Sequence, residues 1–260
     1  MESEILFERR EQFDGVYSEI TLNRPEKGNA LTMPMLEQLS GIVAEVEKDR
    51  DVRAVVIRGR GRFFCTGGDI EAWGALSPDD MGHDWILRGI AVFERIAALP
   101  QAVIAVVSGH ALGGGLELAL AADLRIAVKS AKFGSPEVSL GIISGWMGIR
   151  RLAEMLGVGR ASHLTLLGMP ISAEIALDWG LITAIAQDAD DLDVQVNGWL
   201  ERLCANAPAA MALTKGILGT VRADLRQHHA SAASQAISTE DCREGVQAFR
   251  QKRKPVFKNR

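Results

Sequence analysis

The sequence predicts an α/β fold in which strands alternate with helices over residues 1–190, followed by a helical region over residues 191–260. Five apolar residues, VIAVV from Val103 to Val107, are typical of a strand that is buried on both faces. Three glycines at 113–115 and the apolar run LELALAA come next, which gives the order strand, turn and helix. After Asp191 four helical stretches can be drawn and no strand pattern occurs, so the C-terminal region differs in character.

The first half of the chain alternates strands with helices. It opens with a predicted hairpin, because Asp14-Gly15 separates two strand-like runs. Apolar residues at helical spacing from Leu36 to Val46 predict the first helix, and Pro34 falls in its first turn, where proline is tolerated. The predicted elements are, in order, strands 5–9 and 16–22, that helix, strand 54–57, helix 85–98 and the strand that begins at Val103.

The second half continues this alternation after the three glycines. A helix follows the glycines, and two short strands come after it at 124–128 and 132–134. Helices are predicted over 147–156, 161–167 and 173–179, and a last strand over 181–186.

The composition excludes several classes of protein. The 260 residues carry a net charge of −4 and a pI near 5.8, which gives no support for nucleic acid or an anionic membrane as a partner. No apolar run is long enough to span a bilayer, and the acidic N-terminus lacks the apolar core of a signal peptide. Three cysteines without CxxC spacing fit a reducing cytosol and argue against a cysteine metal site. We therefore expect a cytoplasmic protein without a bound metal.

Two glycine turns are the first candidates for chemistry. Gly113 to Gly115 follow one buried strand, and Gly67-Gly68 follow another in the segment FFCTGGDI. Glycine lets another atom approach the backbone closely, and two such turns after neighbouring strands can aim two N–H groups at one point. Converging backbone donors stabilise the oxyanion that forms at a thioester or ester carbonyl. The alternative is a plain turn, with Asp69 as the N-cap of a helix.

Two acidic residues are the second candidates. Glu117 stands in the first turn of an otherwise apolar helix, and Glu137 follows the strand near Phe133. Because both acids are embedded in apolar sequence, burial is expected to raise their pKa values and suit them to proton transfer. The alternative for Glu117 is a helix-start acid at a tight crossing of a helix and a strand.

The ordered set of motifs resembles the crotonase (enoyl-CoA hydratase/isomerase) superfamily, in register across nearly the whole chain. The motifs are Asn23-Arg24-Pro25, Asn29-Ala30-Leu31, Phe64 to Ile70, Ala111 to Gly115 with Glu117, Phe133-Gly134 with Pro136-Glu137, Gly141, Arg151-Leu152, Glu244-Gly245, Phe249, Lys252 to Lys254 and Phe257.

The resemblance implies a spiral of ββα units over residues 1–190 and a helical trimerisation region over 191–260, in a homotrimer or homohexamer. It places an oxyanion hole at the N–H groups of Gly68 and Gly114. The acid matching Glu117 activates water, and the acid matching Glu137 delivers a proton to the α-carbon. The substrate is an acyl-CoA thioester, and no cofactor is needed because CoA is part of the substrate.

The resemblance also implies which residues bind the substrate. Phe257 and Lys258 look like residues that reach the CoA site of a neighbouring subunit. Arg58-Gly59-Arg60-Gly61-Arg62 is too short for an RNA-binding box, and a CoA phosphate is its better partner. The remaining substrate-binding residues expected from the resemblance are Lys27, Ala30, Thr66, Asp69, Ile70, Gly145 and Trp146.

One segment departs from the family pattern. Where the family often has Pro-Gly-Ala/Gly-Gly, this chain has Ser144-Gly145-Trp146-Met147-Gly148. Trp146 either lines the acyl end of the pocket, where it favours a short or unusually shaped acyl group, or packs in the core beneath the next helix.

The presence of both acids favours a 2-enoyl-CoA hydratase, since isomerase branches usually keep one of the two. The alternatives are an isomerase, a thioester hydrolase or a decarboxylase on the same fold, or an acyl-CoA-binding protein with low activity. Only the last of these predicts tight acyl-CoA binding with negligible turnover.

Overall fold

The computed structural model describes residues 3–219 and 239–260. Its main sheet has six strands: β1 (Ile5–Gln12), β2 (Gly15–Leu22), β3 (Val52–Gly59), β5 (Ala102–Val107), β7 (Leu124–Val128) and β10 (Ala184–Ala186). They are arranged in the order β1-β2-β3-β5-β7-β10, in which β1 and β2 are antiparallel and all later neighbours are parallel. The predicted strands are confirmed, although the last begins at Ala184 and not at Leu181.

The hairpin between β1 and β2 is present, but its turn lies one residue earlier than the sequence predicts. Gln12 pairs with Gly15, so the two loop residues are Phe13 and Asp14. Both have positive φ, 58° and 54°, as a type I′ turn requires. Gly15 is therefore the first residue of β2, where a side chain would contact Cys204.

A second sheet, which the sequence analysis did not predict as a sheet, carries the glycine turns. Its strands are β4 (Phe63–Cys65), β6 (His110–Leu112), β8 (Lys132–Gly134) and β9 (Ile171–Ser172), in that order. β4, β6 and β8 are parallel to one another, and β9 is antiparallel to β8. Because β4 and β6 are parallel neighbours, the glycine turns that follow them lie side by side.

Eleven helices are present in the described residues: α1 (Met33–Lys48), α2 (Ile70–Trp73), α3 (Pro78–Asp80), α4 (Leu87–Ala98), α5 (Gly114–Ala121), α6 (Gly148–Leu156), α7 (Val158–Leu166), α8 (Ala173–Asp178), α9 (Ala189–Ala205), α10 (Pro208–Gly219) and α11 (Glu240–Gln251). The helix predicted from Trp85 begins instead as a π-helical turn, Met81–Ile86, and continues as α4. Three helices after Asp188 are described; residues 220–238, which are also part of the region predicted to be helical, lie outside the described residues.

Helix α5 lies at the centre of the molecule, and all eight of its residues are buried. It packs against α4, α6, β4 and β6. The guanidinium of Arg125 closes its C-terminal end, because it donates to the carbonyls of Ala119 and Ala122 as well as to that of Leu181 at 2.7 Å. The N-terminal end is held separately, because the N–H of Gly113 donates to the carbonyl of Gly134 in β8 at 2.9 Å.

Helix α9 packs on the main sheet, against β2, β3, β5 and β7. Its buried residues are Leu192, Val196, Leu200 and Cys204. The division into a catalytic domain (1–190) and a helical oligomerisation region (191–260) stays a prediction. None of the helices in residues 3–219 and 239–260 combines the length and the apolar character that a membrane-spanning helix needs.

Candidate active site

The two glycine turns meet as the strand order requires. Leu31 donates to the carbonyl of Gly67 and accepts from the N–H of Asp69, both at 2.8 Å, and this parallel bridge leaves the N–H of Gly68 pointing away from Leu31. Gly114 is the first residue of α5, so its N–H has no partner in the helix. In residues 3–219 and 239–260 neither N–H has a protein acceptor. A Cβ on Gly114 would lie 3.4 Å from the nitrogen of Gly68.

Tryptophan rings, which the sequence pattern does not predict here, require glycine at both positions. A Cβ on Gly114 would lie 2.5 Å from Cζ3 of Trp146, and one on Gly68 would lie 2.8 Å from Cζ2 of Trp85. The atoms that approach these two glycines closely therefore belong to other side chains of the protein. Gly114→Ala would displace the Trp146 ring, so it does not test oxyanion binding cleanly.

Glu117 lies one turn into α5 and is 3% exposed. Its Oε1 accepts hydrogen bonds from the N–H groups of Trp146 at 2.8 Å and Gly148 at 2.7 Å, at the start of α6. Burial raises the pKa of Glu117 to about 7; the Gly148 N–H opposes this rise and the nearby charge of Glu137 adds to it. This confirms the expectation that burial raises the pKa of Glu117. The second carboxylate oxygen has no partner in the described residues.

Glu137 is the first residue of the 3₁₀ turn Glu137–Leu140, directly after β8 and Ser135-Pro136. Its Oε2 accepts a hydrogen bond of 2.9 Å from Ser135, whose Oγ lies 2.6 Å from Oγ of Ser144. Because the Ser135 hydroxyl has one proton and gives it to Glu137, the Ser144 hydroxyl must donate to Ser135. Two buried hydroxyls thus hold one oxygen of Glu137, and its other oxygen faces Gly113.

These groups line a cavity of about 490 Å³. Glu117, Glu137, Gly68 and Gly114 form its polar part. Trp146 lines the cavity and also packs against Phe93 of α4; that it bounds the acyl group stays a prediction. The remaining lining residues are Trp73, Met81, Trp85, Ile86, Gly141, Ile142, Ile143, Ser144 and Gly145.

Six of the predicted site residues therefore line one cavity, and seven do not. Lys27 and Ala30 precede Leu31 in the chain, and Thr66, Asp69 and Ile70 flank Gly68, so all five lie close in sequence to the Leu31–Gly68 bridge without lining the cavity. The side chain of Asp69 is the N-cap of α2 and forms an ion pair with Arg24 at 2.9 Å. Burial favours a higher pKa for Asp69, but the hydrogen bonds from Arg24 and from the Glu71 N–H outweigh it and lower the pKa. The Asp69 carboxylate is therefore kept ionised by its contacts within the protein.

Phe257 and Lys258 lie at a different part of the chain. The carbonyl of Phe257 accepts a hydrogen bond of 3.0 Å from Arg53, near the start of β3, and the Lys258 N–H donates to Asp241 at 2.6 Å. Neither residue lines the cavity of its own chain. Their expected role at the site of a neighbouring subunit stays a prediction.

The arginine-rich segment at residues 58–62 also makes contacts within the protein that the sequence does not predict. Arg58 forms ion pairs with Glu19 at 3.0 Å and with Asp193 at 2.8 Å, and Arg62 lies over the ring of Phe63. In the two described ranges, no group of three or more His, Cys, Asp or Glu is placed to hold a metal ion.

Comparison with known proteins shows the family to which the chain belongs. The family model described as enoyl-CoA hydratase/isomerase matches residues 12–260. The chain belongs to this family. A solved enoyl-CoA hydratase from Bacillus anthracis superposes with a TM-score of 0.93 at 33% identity, over 99% of this chain and 100% of the other, which confirms the crotonase-like fold.

Relatives known from sequence are similar over almost their whole length. A probable enoyl-CoA hydratase of Bacillus subtilis is 36% identical over 92% of this chain and 94% of its own. The short-chain-enoyl-CoA hydratase of Clostridium acetobutylicum is 34% identical over 95% of this chain and 96% of its own. The resemblance to the crotonase superfamily, and within it to the enoyl-CoA hydratases, is thus confirmed.

Proposed function

We propose that this member of the enoyl-CoA hydratase/isomerase family is a hydratase, which adds water across the 2,3 double bond of a 2-enoyl-CoA thioester. One observation carries the proposal: two carboxylates, Glu117 and Glu137, line the same cavity as two free backbone donors, Gly68 and Gly114. A hydration needs one group to take a proton from water, one to give a proton to carbon and an anion-binding site for the intermediate. The cavity contains a candidate for each role.

The proposed reaction passes through an enolate of the thioester. The carbonyl oxygen accepts hydrogen bonds from Gly68 and Gly114. Glu117 takes a proton from water while the water oxygen bonds to C3, and the electrons of the double bond move toward the carbonyl to form the enolate. Glu137 then gives its proton to C2. Water has been added as H and OH, and proton exchange returns Glu117 and Glu137 to their starting states. One oxyanion donor is typically worth about 10²–10³-fold in kcat.

The geometry suits Glu117 to the role of base. Its Oε1 is held by two N–H groups, which leaves the other oxygen to accept a proton from water. Its pKa of about 7 means that, near neutral pH, it is ionised often enough to act and basic enough to accept a proton. Glu137 faces the same cavity, and its Oε2 is fixed by Ser135.

The proposal includes the assembly and surroundings of the enzyme. CoA enters as part of the substrate and no further cofactor is required, in a cytoplasmic homotrimer or homohexamer built through residues 191–260. Phe257 and Lys258 contact the CoA of a neighbouring subunit. Light scattering should show three or six chains, and Lys258→Ala should weaken CoA-ester binding modestly, by loss of a charge-assisted contact. A fully active monomer would contradict this arrangement.

Crotonyl-CoA provides the decisive assay. Incubation should yield 3-hydroxybutyryl-CoA, with loss of the absorbance of the conjugated thioester and no release of CoA thiol. Free thiol would indicate a hydrolase instead, and conversion of 3-hexenoyl-CoA to 2-hexenoyl-CoA without hydration would indicate an isomerase. Tight binding without any product would leave only an acyl-CoA-binding protein.

A further inference from the structure

The cavity has a closed floor and an open mouth. Trp146 is 2% exposed, and Trp85 beside it is also buried. Among the other lining residues, Ile143 is 70% exposed, and Met81 and Ile142 are half-buried. The cavity is therefore bounded on one side by the two buried tryptophans and is open to solvent near Ile143.

The Trp146 ring is fixed in its position. Its Nε1 donates a hydrogen bond of 3.1 Å to the carbonyl of Trp85. Its ring lies 5.3 Å from the ring of Trp85 and meets Phe93 edge to face at 5.2 Å between centroids. It also fits into a notch on α4 at Gly89, where a Cβ would overlap the indole. With contacts on these sides, the ring is not free to swing aside for a longer ligand.

The ring lies between α4 and the proposed oxyanion hole. Its Cζ3 edge faces Gly114 and its Cη2 edge faces Gly68, while its pyrrole side faces Gly89 and the carbonyl of Trp85. An acyl chain that starts from a carbonyl at Gly68 and Gly114 and extends toward α4 would meet the indole. The space toward Phe93 is occupied by protein.

We propose that Trp146 sets the depth of the acyl cavity and makes the enzyme selective for short acyl groups, with crotonyl-CoA preferred over octenoyl-CoA and dodecenoyl-CoA. The inference rests on the proposed hydratase function. Its physical basis is steric, because each methylene that extends from the carbonyl toward α4 must displace packed aromatic rings. One methylene too many in such a pocket costs about 10–200-fold in kcat/KM.

The test compares kcat/KM for crotonyl-CoA, octenoyl-CoA and dodecenoyl-CoA in the wild type and in Trp146→Phe, Trp146→Leu and Trp146→Ala. The wild type should favour crotonyl-CoA over octenoyl-CoA by at least about tenfold. The ratio of octenoyl to crotonyl activity should rise as the side chain shrinks, by about tenfold or more in Trp146→Ala. The backbone N–H that holds Glu117 is kept in every variant.

A matched control is Trp179→Phe, since Trp179 contacts His163 and Arg160 away from the cavity and its loss should not alter selectivity. A wild type that hydrates dodecenoyl-CoA as well as crotonyl-CoA would overturn the inference without any variant. An unchanged ratio in folded Trp146→Phe and Trp146→Leu, checked by thermal melting, would do the same. If the wild type hydrates none of the three substrates, the proposed function itself is wrong.

Discussion

Glu117 and Glu137 line the same cavity, yet the protein holds them by different means. Glu117 is fixed by two backbone N–H groups at the start of α6, whereas Glu137 is fixed by the hydroxyl of Ser135, which is itself held by Ser144. Backbone donors survive any substitution except proline, while hydroxyl donors are lost with a single change to alanine. The position of Glu117 is thus set by the fold, and that of Glu137 by particular side chains.

The largest effect is expected from removing the proton-transfer groups themselves. Glu117→Gln and Glu137→Gln should each lower kcat for crotonyl-CoA by about 10²–10⁴-fold, because glutamine can accept the same hydrogen bonds but cannot exchange the proton. The Kd for a CoA ester should stay close to that of the wild type. Steady-state kinetics and binding titrations measure both quantities, and a near-normal kcat in either variant would remove that residue from the mechanism.

The second prediction concerns pH and stability at Glu117. Its folded pKa of about 7 exceeds the ordinary 4.5, so its neutral form stabilises the fold below pH 4.5 and this contribution disappears as pH rises through 7. The free energy of unfolding of Glu117→Gln, relative to that of the wild type, should therefore increase from pH 5 to pH 8 by up to about 3 kcal/mol. Urea unfolding at the two pH values measures this.

The exposed Glu154, which pairs with Arg150 on α6, provides the control for this pH effect. Glu154→Gln should change stability by the same small amount at pH 5 and at pH 8. A pH-independent difference for Glu117→Gln would mean that the buried carboxylate does not titrate in this range.

The third prediction tests the hydroxyl pair. Ser135→Ala should leave the buried Oε2 of Glu137 without a donor and let the side chain shift, which should lower kcat by about tenfold or more. Ser144→Ala should have a smaller effect in the same direction, because Ser135 can still donate. Ser139 is the matched control, since its hydroxyl bonds only to the Pro136 carbonyl in the described residues. Equal kcat for Ser135→Ala and Ser139→Ala would show that the hydroxyls do not position Glu137.

The smallest effect is expected where the backbone holding Glu117 is strained. Met147 lies between the two N–H donors with φ of 72°, a left-handed conformation that costs a non-glycine residue about 1–2 kcal/mol. Met147→Gly should raise the melting temperature by a few degrees. Gly157, just after α6, has φ of 78° and open space where a Cβ would be added. Gly157→Ala should therefore lower the melting temperature by a similar amount. A lower melting temperature for Met147→Gly would contradict this account.

Sequence patterns predicted the main sheet well, because strands such as β5 consist of apolar residues in an unbroken run. They did not predict β4 and β6, short strands that run directly into the glycine turns and bring these turns together. The presence of Glu117 and Glu137 could be predicted from their apolar surroundings. Their different supports could not, because Ser135 and Ser144 become partners only through folding.

The glycines illustrate the same limit. The sequence indicates that an atom approaches Gly68 and Gly114 closely, but it cannot say which atom. In the structure the approaching atoms belong to Trp85 and Trp146. A glycine motif therefore indicates that some atom lies close to the backbone, but only the three-dimensional structure identifies the residue to which that atom belongs.

Helix α5 gives the proposed site a particular kinetic character. It carries both Gly114 and Glu117, it is buried throughout, and its ends are bonded through the Gly113 N–H to Gly134 and through Arg125. A segment of this kind opens only when much of the molecule unfolds, so its amides should exchange with solvent deuterium at close to the global rate. The N–H of Gly114 and the carboxylate of Glu117 are then already held in fixed relative positions before any substrate binds. Motions that admit or release ligands are then expected at exposed residues of the cavity wall such as Ile143.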